Sequence, residues 1–244
     1  MDGQTNILLI TRPQPRASAD AGYFQSRGIH TQIASVLRYK AHKTSLPEPQ
    51  DIDALIVTSA RAVGDVESLA AYHGKPVYCV GPQSEHAAKD AGFETVYSAA
   101  GTAYDLMALI QTREKAAATL LYLRGEHVSS DIESVLESKG FRVLGRIVYF
   151  AEEVEKPGRE LLDLLREQQI AAVSFYSKRS AEIFTKWVKT YGLEDTLSVI
   201  KALCISEPVL ECVRVLPWLS TQVSDAPDGD AMRRLCLAAM DTER

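Results

Sequence analysis

Short apolar runs recur along the chain, and each is followed by a polar turn and a stretch with apolar residues three or four apart. The runs Ile7–Ile10, Ala54–Val57, Val77–Val80, Thr119–Leu123, Ala172–Phe175 and Ala202–Ile205 read as strands. After the first run, Ala17, Ala21 and Phe24 give a helical stripe that Gly28 ends. After Leu123, the stripe is Ile132, Val135 and Leu136, with Gly140 as its stop. Ser130 and Glu133 have capping-box spacing and predict where that helix starts. Helices are also expected from near Ala62 and over Glu85 to Ala91. Strands alternating with helices predict parallel sheets covered by helices.

The pattern also repeats. Arg12 and Gly28 recur as Arg124 and Gly140 at the same spacing, with strand, Arg, polar turn, helix, Gly and second strand between them. Thr58-Ser59-Ala60-Arg61 matches Tyr176-Ser177-Lys178-Arg179, and Cys79-Val80-Gly81-Pro82 matches Cys204-Ile205-Ser206-Glu207. Each half would form an α/β unit of about 100–120 residues, an ordinary domain size. Second strands are expected at Gln32–Leu37 and Arg142–Phe150. After them, the proline-containing stretch Leu37–Gln50 and the charged Ala151–Gly158 are the candidate crossings between units. Such crossings permit one domain to be inserted in the other, although tandem domains would carry the same punctuation.

Composition narrows the function classes. With 46% hydrophobic and 24% charged residues in 244, the chain has ample material for a core. No apolar run reaches the length of a membrane-spanning helix, and the start MDGQTNILLITRP lacks a secretory pattern, so a cytoplasmic location is expected. Net charge is −5 and no Lys/Arg cluster occurs, so a nucleic-acid partner is not expected. Cys79, Cys204, Cys212 and Cys236 form no C-x-x-C pair, and the five histidines lack ligand spacing; buried free thiols and no metal site are expected. An anionic ligand would have to be held by backbone N–H groups and a few placed cations.

Four loops following strands are suited to that task, because loops at the carboxyl edge of a parallel sheet gather ligands. They are Thr58-Ser59-Ala60-Arg61, Gly81-Pro82-Gln83-Ser84, Gly125-Glu126 after Arg124, and Ser177-Lys178-Arg179-Ser180. Hydroxyl residues at helix starts cap the helix and leave N–H groups facing outward, where carboxylates and phosphates bind. The plain alternatives stand beside this one: serines as caps only, Arg61 and Arg179 as surface charges, Arg12 and Arg124 as inter-strand contacts, and Tyr149 as a packing residue. No Walker A, G-x-G-x-x-G, nucleophile elbow or Ser/His/Asp order is present. The residues alone reach two flavodoxin-like units that bind an anion between them.

The segments LLITRP (8–13), DALIVTSARAV (53–63), VYCVGPQSEHAAKDAGF (77–93), 120–152, AAVSFYSKRSAEIF (171–184) and the tail ALCISEP…VSDAPDGDAM together resemble the uroporphyrinogen-III synthase family. The resemblance covers nearly the whole chain. It implies an α/β fold of two flavodoxin-like, doubly wound parallel-sheet domains joined by a two-stranded linker. Domain 1 would be residues 1–37 plus 154–244, with domain 2, residues 38–153, inserted in it. The implied reaction cyclises hydroxymethylbilane, a linear tetrapyrrole with eight carboxylates, to uroporphyrinogen III with loss of water and inversion of ring D. Loss of the hydroxyl gives an azafulvene, ring D attacks it to form a spiro intermediate, and this fragments and recloses. No cofactor is implied.

The same resemblance implies Tyr149 as the residue assisting departure of the hydroxyl. For substrate binding it implies Thr58, Ser59, Arg61, Ser84 and Ser177; Gly81, Gly125 and Lys178 stand in the same loops, and Arg12, just after the first strand, joins the set. A neutral phenol can donate a hydrogen bond to the leaving oxygen at neutral pH. The implied protein is a cytoplasmic monomer of haem biosynthesis, without nucleic-acid or membrane partners, in at most transient contact with the preceding enzyme. One segment departs from the pattern: Ser206-Glu207-Pro208-Val209 stands where many relatives carry Gly and Thr, and a glutamate there would repel a polycarboxylate. Two other function classes remain open at this stage: a non-catalytic two-domain binding protein for a polycarboxylate, and a nucleotide-dependent regulator.

Overall fold

The computed structural model of the chain describes residues 6–64, 69–128 and 130–241. In chain order its elements are β1 (Ile7–Ile10), α1 (Arg16–Gln25), β2 (His30–Ile33), β3 (Leu37–Ala41), β4 (Ala54–Val57), α2 (Arg61–Gly64), β5 (Val77–Cys79) and α3 (Pro82–Asp90). There follow β6 (Val96–Ser98), α4 (Ala103–Arg113), β7 (Thr119–Gly125), α5 (Ile132–Ser138), β8 (Arg142–Glu153) and α6 (Arg159–Arg166). The last are β9 (Ile170–Phe175), α7 (Lys178–Tyr191), β10 (Lys201–Cys204), α8 (Glu207–Val213), β11 (Ser220–Val223) and α9 (Gly229–Asp241). The chain divides into two compact units: unit 1 is Met1–Arg38 with Glu152–Arg244, and unit 2 is Tyr39–Ala151.

Unit 1 holds a five-stranded sheet in the order β11-β10-β9-β1-β2, each neighbouring pair parallel. Its three central strands, β1, β9 and β10, read as largely apolar runs because helices cover both faces. Alternation sorts the side chains: Leu9, Val173 and Phe175 pack with Phe184 and Trp187, while Leu8, Ile10 and Ala172 pack with Phe24 and Met232. Unit 2 holds a six-stranded sheet in the order β3-β8-β7-β4-β5-β6, parallel from β8 through β6. Leu55, Val57, Leu121 and Leu123 face one layer, and Ala54, Ile56, Leu120 and Tyr122 the other.

The internal repeat is real in space. Setting aside β3, unit 2 places β8-β7-β4-β5-β6 where unit 1 places β2-β1-β9-β10-β11. Unit 1 has the flavodoxin order 2-1-3-4-5; unit 2 has the same spatial order with its chain order permuted.

Several local expectations are corrected. Helix α5 is capped by Asp131, whose carboxylate accepts from the Ser134 N–H at 3.1 Å, not by Ser130. Glu133 is unavailable to a capping box because it pairs with Arg124 at 2.6 Å. Helix α3 starts at Pro82 rather than Glu85, since the fixed φ of proline suits a first helical position. The polar stretch after Leu37 opens with strand β3, whose last four residues are exposed, so the apolar pattern of a strand is missing there. β6 and β11 carry no fully buried residue and gave no apolar run to read.

Candidate active site

Four buried residues of β4 deliver Thr58 and Ser59 to the carboxyl edge of the unit 2 sheet. They line a cavity of about 350 Å³ together with Val80, Gly101, Ala103, Tyr122, Gly125, His127, Val128, Ser130, Ile132 and Tyr149. Every strand from β8 to β6 therefore sends its end, or the loop after it, into one pocket. This is where ligands of open parallel sheets bind.

Tyr149 is placed by Gly125. The two residues are paired across β7 and β8, just after a register shift at Arg124. A Cβ on residue 125 would lie 2.7 Å from the Tyr149 ring and 2.9 Å from its hydroxyl oxygen. Only glycine lets the ring lie over the backbone at that point. Tyr149 also meets Tyr39 edge to face, with centroids 5.7 Å apart, and the Arg61 guanidinium lies 4.0 Å from the centre of the Tyr39 ring.

Tyr122 is the main site residue that the sequence did not single out. Its hydroxyl lies 3.1 Å from the Thr58 hydroxyl, and the residue is only 2% exposed. Burial pushes its phenol above the ordinary tyrosine value, and the hydrogen bond with Thr58 and the charge of Arg124 offset this only in part. It remains a neutral hydroxyl at physiological pH. Its one signal in the sequence was an aromatic hydroxyl in an aliphatic strand. That signal does not discriminate, because Tyr78 has it too and spends its hydroxyl on Glu114 at 2.6 Å. His127 and Val128 also reach the pocket without having been expected.

The other expected residues are distributed as follows. Gly81 is the residue before α3, and Ser84 is buried in that helix's first turn, its N–H bonded to the Gly81 carbonyl. Ser177 caps α7, accepting from the Ser180 N–H at 3.1 Å, and Lys178 lies 3.9 Å from Glu182; both belong to unit 1. Arg12, also in unit 1, bonds the buried Asp20 at 2.6 Å and stacks on Tyr176 at 3.9 Å. Its repeat partner Arg124 does the same work with Glu133. In both units an arginine at a strand end pins the helix that follows. At the departing segment, Glu207 pairs with Arg214 at 2.9 Å, a partner it shares with Glu211. Among the described residues, no His/Cys/Asp/Glu cluster suited to a metal ion occurs, and no helix is long and apolar enough to cross a membrane.

Two helix-covered, mainly parallel sheets, one with a hydroxyl-lined pocket at its strand ends, define a doubly wound α/β protein of two units. The family model described as uroporphyrinogen-III synthase HemD matches residues 18–233. The chain belongs to the uroporphyrinogen-III synthase family, and its activity is that of a lyase of haem biosynthesis. Its fold is similar to that of the uroporphyrinogen-III synthetase from Helicobacter pylori, at TM-score 0.62 and 16% identity over 96% of this chain and 99% of that one. A mutant uroporphyrinogen III synthase from Thermus thermophilus is similar at TM-score 0.51 and 14% identity, over 98% of this chain and 100% of that one. No curated protein matches the chain.

Proposed function

We propose that the unit 2 pocket is where this chain turns hydroxymethylbilane into uroporphyrinogen III, with Tyr149 as the group that assists departure of the hydroxyl. The supporting observation is the Tyr149 ring seated on Gly125, in the same pocket as Thr58, Ser59 and Tyr122. A cavity of about 350 Å³ is at the small end for ligand sites, so it takes part of a tetrapyrrole rather than the whole. Tyr149 donates a hydrogen bond to the leaving oxygen as the azafulvene forms. Thr58, Ser59, the Gly81 and Gly125 backbone and the Ser84 hydroxyl hold the acetate and propionate side chains. The first turn of α4 adds N–H groups and the favourable end of its helix dipole; in α3, Pro82 has no N–H and those of Ser84 and Glu85 go to the Gly81 carbonyl.

Ser177 and Lys178, at the corresponding strand end of unit 1, are proposed as further substrate contacts. Arg12 is reassigned: its bond to Asp20 and its stack on Tyr176 support a structural role. The contribution asked of the enzyme is mainly positioning, which holds a crowded carbon of ring D against the azafulvene. The two units serve as the protein's two domains, and the working form is a cytoplasmic monomer; light scattering giving 26.9 kDa supports that state and twice the mass contradicts it.

Incubation with freshly generated hydroxymethylbilane tests the reading. Formation of uroporphyrinogen III supports it, and uroporphyrinogen I alone, the spontaneous product, overturns it. Membership of the family disfavours the alternative of a binding protein without chemistry.

A further inference from the structure

We propose that Tyr39 and Arg61 are positioning residues for Tyr149, an inference that rests on the reading of Tyr149 given above. Three rings and planes meet in sequence. A Cβ at Gly125 would lie 2.7 Å from the Tyr149 ring, so the ring sits directly on the glycine backbone. Tyr39 meets that ring edge-on, at 84° and 5.7 Å. The Arg61 guanidinium covers Tyr39 at 4.0 Å. All four residues belong to unit 2.

Tyr39 has little else to do. It sits on the edge strand β3, in a run where every residue after Leu37 is exposed, and it is itself 38% exposed. A tyrosine there fills no core. Edge-to-face contact and a cation over the ring face each favour one orientation of Tyr39. With Tyr39 fixed, the Tyr149 ring has a wall on one side and a floor at Gly125. The hydroxyl that must meet a leaving oxygen is thereby held in one place, and a displacement of about 1 Å is enough to lose much of an oriented group's contribution. Arg61 thus acts through a ring, where the sequence suggested a direct carboxylate contact. The two roles differ in what they change: positioning alters turnover, whereas carboxylate binding alters KM.

The test is steady-state kinetics of uroporphyrinogen III formation, with thermal unfolding recorded for each variant. Tyr39→Leu is expected to lower kcat about 5–10-fold with KM within twofold, and Tyr39→Phe to restore kcat, because it keeps the ring. Arg61→Met lowers kcat about threefold, and Arg61→Lys, which keeps charge without a plane, recovers little of it. In a Tyr149→Phe background Tyr39→Leu has no further effect, since residues acting through one group are not additive. Additive losses, or an Arg61→Met enzyme with raised KM and normal kcat, overturn the proposal. Should Tyr39→Leu unfold, the Arg61→Met and Tyr149→Phe pair makes the same comparison. Full turnover by Tyr149→Phe alone removes the reading of Tyr149 and this inference with it. A crippled Tyr149→Phe beside an unaffected Tyr39→Leu removes only the inference.

Discussion

At the scale of single residues, the pocket is organised by what is missing at Gly125. Gly125→Ala puts a methyl 2.7 Å from the Tyr149 ring, so either the ring or the strand end must move. Turnover should fall about 10-fold or more, as for Tyr149→Phe, and by about 100-fold where the phenol supplies the low end of a full general-acid contribution. Gly64→Ala, with nothing within 4 Å of the new Cβ, is the control and should match the parent. Equal activity of the two alanine variants would mean that the ring position does not matter. The tyrosines also set an alkaline limit. Burial raises the phenols of Tyr122, Tyr78 and Tyr176. Their neutral forms are favoured by folding, so that contribution is complete below the ordinary tyrosine value of about 10 and declines as pH rises past it. The chain has ten tyrosines, so the last phenolate absorbance to appear on alkaline titration should change together with circular dichroism; all ten phenolates in a fully folded protein would contradict this. Thr58, Ser59 and Tyr149 were legible because motifs carried them. Tyr122 was not, because a strand tyrosine looks the same whether its hydroxyl faces a pocket or a glutamate.

At the scale of elements, the sequence located strands by apolar runs and failed where burial is partial. β1 and β4 were read to the residue, since all or nearly all their side chains are buried. β3, β6 and β11 lie toward sheet edges and lack such runs. The start of α5 failed for a different reason: several side chains could cap, and tertiary partners decided among them. Glu133 went to Arg124, leaving the cap to Asp131. Asp131→Ala should therefore lower the melting temperature and Ser130→Ala should not. The hydrogen bonds from Ser134 hold the Asp131 carboxyl below the usual range, so its contribution is present above about pH 4 and fades as pH falls through its folded value. The paired arginines follow the same logic with larger stakes. Asp20 is 2% exposed and is held by Arg12 and Arg233. Arg12→Met leaves it one partner, and denaturant titration should show a loss of about 2–3 kcal/mol, somewhat below that of an entirely orphaned buried charge. KM should be unchanged. A raised KM with normal stability would restore Arg12 to the substrate.

At the scale of the molecule, the two units share one strand order, but only unit 2 is a continuous stretch of chain. The repeat was legible as matched segments; the permutation was not, because it is a fact about which strands pair. It has an energetic consequence. Ile10 pairs with Ser174, so unit 1 must close a loop containing the whole of unit 2. Folding of unit 2 brings that insert's two ends onto neighbouring strands, β3 and β8, and so shortens the effective loop to about a third. Closure entropy grows with the logarithm of length, so the help to unit 1 is only about 1 kcal/mol. Both tryptophans, Trp187 and Trp218, lie in unit 1 and report on it alone. Leu121 is fully buried in the unit 2 core, and Leu121→Ala should cost unit 2 about 2–5 kcal/mol, visible as an early phase in far-ultraviolet circular dichroism. The tryptophan-fluorescence transition should shift by no more than about 1 kcal/mol. A Phe175→Ala change, in the unit 1 core, should move that fluorescence transition by the full cost of its own cavity, about 3–5 kcal/mol. If Leu121→Ala moves fluorescence and dichroism by the same full amount, the units unfold as one body and loop closure is not what couples them.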